Sequence, residues 1–150
     1  MLQNAYIAAR IALGLIFVVM GADYFVSFLP EMPASIRGTA FLEALLATGY
    51  LFPLIKVVEV LSGVLLLSGR AILPALLLAA PIAVNIGLYH AFLDRNGAWL
   101  GFLTSGLTVL LLWPFRQPLL ALFQLKPVFA DAVRSPMGGA VSLTESRQSS

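Results

Sequence analysis

Long apolar runs separated by short polar breaks dominate the chain. The first runs from about Ala5 to Leu29 and is interrupted only by Arg10 and Asp23. Pro30, Pro33 and Gly38 then mark a loop carrying Glu31 and Arg37. Thr39 to Ala47 is too short to span a bilayer, but Phe41, Leu42, Leu45 and Leu46 follow helical spacing with Glu43 off the stripe. That pattern predicts a short helix lying in the interface. Gly49 separates it from a second run at 50–67, and Ser68, Gly69 and Arg70 make a turn that permits only an antiparallel hairpin with a third run at 71–93. Asp94, Arg95, Asn96 and Gly97 are a strong turn signal before a fourth run at 98–113, ended by Pro114.

A helical span needs roughly 20 apolar residues, so the pattern predicts an all-α, polytopic membrane protein. Its core would be a four-transmembrane-helix bundle, with the short interfacial helix between spans one and two. One transmembrane domain is expected over 1–129. It closes with a short amphipathic segment from Pro118 to Phe129, and a disordered cytoplasmic tail is expected over 130–150, rich in Ser, Gly and charge.

Composition strengthens this reading. Of 150 residues, 60% are hydrophobic and 11% charged, against about 25% charged in ordinary soluble domains. A soluble fold of this size could not hide that much apolar surface, so the lipid bilayer is the expected surrounding partner. The net charge of +2 comes from scattered basic residues, which gives no reason to expect nucleic acid. With no cysteine, thiolate metal sites, iron–sulfur clusters and disulfide exchange within this chain are excluded. The start has no basic n-region and no clear cleavage site, so the first helix is expected to be retained.

Basic residues also orient the bundle. Arg10, Arg70, Arg116, Lys126, Arg134 and Arg147 fall at one set of span ends, and only Arg37 and Arg95 at the other. Six against two predicts cytoplasmic N- and C-termini, and Tyr50, Trp99 and Trp113 fall where an aromatic belt would place them.

Charged and polar groups at membrane depth usually face a bundle interior and mark function. Asp23, Lys56, Glu59, Asn85 and His90 are the candidates for ligand binding. At about 1.5 Å of rise per residue, all five fall between the outer end and the midplane of the bundle. Lys56 and Glu59 are spaced i, i+3 and can pair, either as a purely structural ion pair or as part of a binding or acid–base site. Asn85 and His90 lie about 140° apart around an ideal helix and are not expected to share a face, whereas Asn85 and Tyr89 would. Pro81, one turn before Asn85, could bend the helix and change that register. A single His without Cys gives neither bis-His haem ligation nor a zinc site within one protomer, so no metal is expected. No phosphate loop, nucleophile elbow or dinucleotide fingerprint is present. This argues against a stand-alone enzyme.

The stretch Gly49 to Leu93 places Lys56 and Glu59 before Gly63, a leucine run and Gly69-Arg70. Pro81, Asn85-Ile86 and Tyr89-His90 follow. Together with Arg10 to Phe17 (RIALGLIF) and Gly21, this order resembles bacterial membrane proteins of the DoxX family over about residues 6 to 115. Asp23-Tyr24 departs from the pattern, where an Asn-Lys or similar pair is expected. The resemblance implies a four-helix protein of the bacterial inner membrane. It also implies a membrane subunit or accessory factor linked to quinone or redox chemistry, with quinone as a possible cofactor and other membrane proteins or further copies of itself as possible partners. Read from the residues alone, two alternatives stand beside it: a small-molecule binding or transport protein with a polar cavity in the outer half of the bundle, and a purely structural membrane partner.

Overall fold

A computed structural model describes residues 1–30 and 33–123, and in these the secondary structure is helical throughout, with no strand. The helices are α1 (Leu2–Val26), α2 (Ile36–Ala47), α3 (Leu51–Ser68), α4 (Ile72–Phe92), α5 (Ala98–Leu112), a 3-10 turn at Trp113–Phe115 and α6 (Arg116–Phe123). Four stretches are long and apolar enough to cross a membrane: Leu2–Val26, Leu51–Ser68, Ile72–Phe92 and Ala98–Ala121, with mean hydropathy between 1.6 and 2.0. Of an 18-residue apolar stretch within each, only 22% is buried inside the protein. The rest of these apolar surfaces needs lipid around it, so the chain is a multi-pass membrane protein. The expected tail over 130–150, and the part of the predicted amphipathic segment beyond Phe123, lie outside the described residues.

Two compact units are distinguished, Met1–Phe115 and the part beginning at Arg116. The described portion of the second is the single helix α6. In the first, α1 packs on α3, α3 on α4, α4 on α5 and α5 back on α1, which closes a ring of four. Small residues permit the tightest of these contacts: at Gly63 any side chain would run into the Gly14 carbonyl and the Val18 backbone. The solid core occupies the end of the ring that carries the 69–71 turn. There Leu13, Phe17, Leu66, Leu76 and Leu111 are fully buried with Ala75, Ala79 and Ala83.

The sequence-based boundaries shift where side chains intervene. The first helix starts three residues before the expected span and stops at Val26, although the apolar run continues through Phe28 and Leu29. Asp23 is the reason. Its carboxylate accepts the backbone N–H groups of Phe28 (3.0 Å) and Leu29 (2.7 Å), while Ser27 turns into the left-handed region at φ 50°. The short second helix begins at Ile36 rather than Thr39, because the Ser35 hydroxyl accepts the Gly38 N–H at 3.1 Å and caps it. Gly38 therefore lies within the first turn of α2 instead of breaking the chain. The α3–α4 turn is as tight as expected. Gly69 takes φ 70°, and the Arg10 guanidinium fills the space a side chain there would need.

Candidate functional site

Opposite the solid core, the four-helix ring opens into a cavity of about 500 Å³. Its walls come from α1 (Ile16, Met20), α3 (Phe52, Ile55), α4 (Ile82, Ile86) and α5 (Leu100). Helix α2 lies across it and contributes Phe41, Leu42 and Leu45. These are three of the four stripe residues assigned to the membrane interface by periodicity, so the apolar face of α2 is turned inward over the cavity. Leu46, the fourth, stays exposed.

Four of the five candidate residues line this space: Lys56, Glu59, Asn85 and His90. Asp23 does not. It is occupied with ending α1, as described above. Lys56 and Glu59 form the ion pair expected from their spacing, with Nζ 2.9 Å from Oε2 and the two side chains 15% and 4% exposed. The ammonium also sits 5.3 Å from the centre of the Phe52 ring, close enough for a cation–π contribution. Gly21 lets α1 lie directly against this turn of α3, within van der Waals reach of the Lys56 carbonyl and the Glu59 Cβ.

The expectation that Asn85 and His90 occupy different faces is correct for the helix but not for the cavity. Helix α4 runs unbroken through Pro81 and presents Pro81, Ile82, Asn85, Ile86, Tyr89 and His90 together. These are two adjoining columns at i, i+4 spacing. The cavity is broad enough to touch both.

Near the loops the site is held by a polar cluster centred on Asp94, which is 4% exposed. Its carboxylate accepts the Asn96 N–H at 3.1 Å and the Tyr89 hydroxyl at 3.4 Å. Its backbone carbonyl lies 3.0 Å from His90 Nδ1. A carbonyl can only accept, so Nδ1 carries the proton, and Nε2 is the acceptor in the neutral ring. The imidazole packs edge-on to Tyr89 (5.0 Å) and fills the space beside Gly101. Two bonds fasten the start of α2 to this cluster: the Ser35 hydroxyl donates to the Leu93 carbonyl at 2.6 Å, and the Asn96 amide donates to the Pro33 carbonyl at 3.1 Å.

Reading the sequence for charge in the spans missed Asp94 as a site residue, because a turn signal explained it completely. It also missed the role of α2, whose short amphipathic pattern is the same whether the apolar face meets lipid or a cavity. Among the described residues no group of three or more His, Asp or Glu side chains is arranged to hold a metal ion.

Chemically, the cavity has apolar and aromatic walls, a charge-neutral ion pair and an amide at mid-depth, and a hydrogen-bonded Tyr–Asp–His group near its mouth. Comparison with known proteins found no matching family model, no similar curated protein and no similar solved structure.

Proposed function

We propose that this membrane protein binds a small, largely apolar molecule with a hydrogen-bonding head in the cavity beneath α2. The observation that carries this reading is a space of about 500 Å³ whose walls are apolar but which reaches Lys56, Glu59 and Asn85 at one level. Ligand sites commonly fall in the range of about 300–1,000 Å³, with mostly hydrophobic lining and a few convergent polar groups. A bundle serving only as a scaffold gains nothing from such a space, since a void forfeits packing contacts. The asymmetry of basic residues supports an orientation with the cavity on the non-cytoplasmic side of a bacterial inner membrane.

A second reading makes the chain a DoxX-like subunit or accessory factor linked to quinone or redox chemistry. The order of Lys56, Glu59, Asn85 and His90 supports it, and these residues come together in one cavity. A quinone ring would then be the bound molecule and other membrane proteins its partners.

The test is extraction of the full chain from native membranes into lipid nanodiscs, followed by mass spectrometry of bound small molecules and co-purifying proteins. The wild type is expected to retain one small molecule, and Ile86→Trp, which fills the cavity, to lose it while staying folded. Equal recovery from both, or none from the wild type, would reject the cavity as the site. A quinone together with oxidoreductase subunits would select the second reading.

A further inference from the structure

The polar groups along the cavity differ in how much hydrogen-bonding capacity they keep. Near the mouth most of it is used internally: both Asp94 carboxylate oxygens accept a bond, the Asn96 amide donates to Pro33, and His90 Nδ1 donates to the Asp94 carbonyl.

At mid-depth the situation reverses. Glu59 receives Lys56 on Oε2, and its Oε1 takes no hydrogen bond among the described residues. Lys56 uses one of its three N–H groups on that bond. The Asn85 amide takes part in no hydrogen bond among the described residues, as donor or as acceptor. At about 1.5 Å per residue, these three lie roughly 7–12 Å inside the α2-capped end of α3 and α4. One level of the cavity therefore offers acceptors (Glu59 Oε1 and the Asn85 carbonyl) beside donors (Lys56 Nζ and the Asn85 amide), and the ion pair leaves that level without net charge.

We infer that the bound molecule carries a neutral hydroxyl of phenol or alcohol type on its apolar body. This inference rests on the cavity being a ligand site. The hydroxyl donates to Glu59 Oε1 and accepts from Asn85 or Lys56. A head that only accepts, such as a ketone, ether or oxidised quinone ring, leaves the carboxylate oxygen without a donor in a poorly hydrated place. A carboxylate or an ammonium head adds an uncompensated charge to a level that the ion pair leaves neutral. The rings of Phe17, Phe41, Phe52 and Tyr89 in the wall suit an aromatic body.

Two photoreactive probes separate these cases: a 4-alkylphenol with a diazirine in its alkyl chain, and the methyl ether of the same compound. Each is added to the full chain in nanodiscs, and crosslinks are mapped by mass spectrometry. Labelling of the cavity residues Phe41, Leu42 and Leu45 is divided by labelling of the outward-facing Phe92 and Val109, which corrects for partition into lipid. The phenol ratio is expected to exceed the ether ratio by about tenfold, in keeping with the cost of an unpaired buried acceptor. The Lys56→Met/Glu59→Leu double variant removes the acceptor without stranding a charge and is expected to abolish that preference, and Asn85→Leu to reduce it. Equal cavity labelling by both probes, or a preference that survives in the double variant, overturns the hydroxyl assignment while leaving the cavity as a site. Labelling confined to Phe92 and Val109 with both probes overturns the cavity reading itself.

Discussion

Alanine substitution at four helix glycines should give effects of opposite sign, and the structure says which is which. At Gly63 a new Cβ would stand 2.7 Å from the Gly14 carbonyl oxygen, 2.7 Å from Val18 Cγ2 and 2.8 Å from the Val18 nitrogen. Ordinary contact begins at 3.4 Å, so α1 must move away from α3 by roughly 0.7 Å, and two of the three obstacles are backbone. Overpacking of this kind costs about 1–3 kcal/mol, and the helix-propensity gain of Ala over Gly returns about 0.5–1 kcal/mol. Gly63→Ala is therefore expected to destabilise by up to about 2.5 kcal/mol. At Gly106 nothing lies within 4 Å of the new atom, so only the propensity gain remains, and the variant should be more stable by about 0.5–1 kcal/mol. Gly14→Ala falls between them, because two of its close neighbours are atoms of a Leu67 side chain that can rotate. Gly21→Ala meets Val60 at 2.8 Å and the Lys56 carbonyl at 3.1 Å, so it should also disturb ligand binding by displacing the turn that presents the ion pair. Equilibrium unfolding of the full chain in mixed detergent–SDS micelles measures the series. If Gly63→Ala proved as stable as Gly106→Ala, close α1–α3 packing would not be what holds this bundle together.

Three further outcomes follow from the polar groups. Lys56→Met alone strands a carboxylate that is 4% exposed and should cost about 3 kcal/mol, whereas Lys56→Met/Glu59→Leu should stay within about 1 kcal/mol of wild type; equal losses in the same unfolding assay would contradict the pairing. Ser62 is fully buried and its hydroxyl has no hydrogen-bond partner among the described residues, so Ser62→Ala should stabilise by about 1 kcal/mol, and a clear loss of stability would show that this hydroxyl is in use. His90 is the single histidine, so the side-chain 15N spectrum of labelled protein reports it alone. A proton on Nδ1 is expected, and a ring protonated on Nε2 alone would contradict the bond to the Asp94 carbonyl.

Much of the architecture was determined by the sequence itself. Four apolar runs separated by Gly and polar turns can satisfy their backbone groups in lipid only as helices, and turns as short as Ser68–Arg70 and Asp94–Gly97 force neighbouring helices to run antiparallel. The i, i+3 spacing of Lys56 and Glu59 likewise made their pairing readable, because it depends on one helix alone. What the tertiary structure decided depends on neighbours distant in the chain. Asp23, a charge in an apolar run exactly like the others in the sequence, ends its own helix because the backbone of Phe28 and Leu29 folds back onto it. Asn85 and His90 line one cavity because the ring of helices leaves a space wide enough to reach two columns of α4. The apolar stripe of α2 faces that space rather than the membrane surface, since Ser35 and Asn96 tie its start to the α4–α5 turn. Periodicity records that a helix has an apolar face; which apolar surroundings that face meets is set by the packing of the other helices.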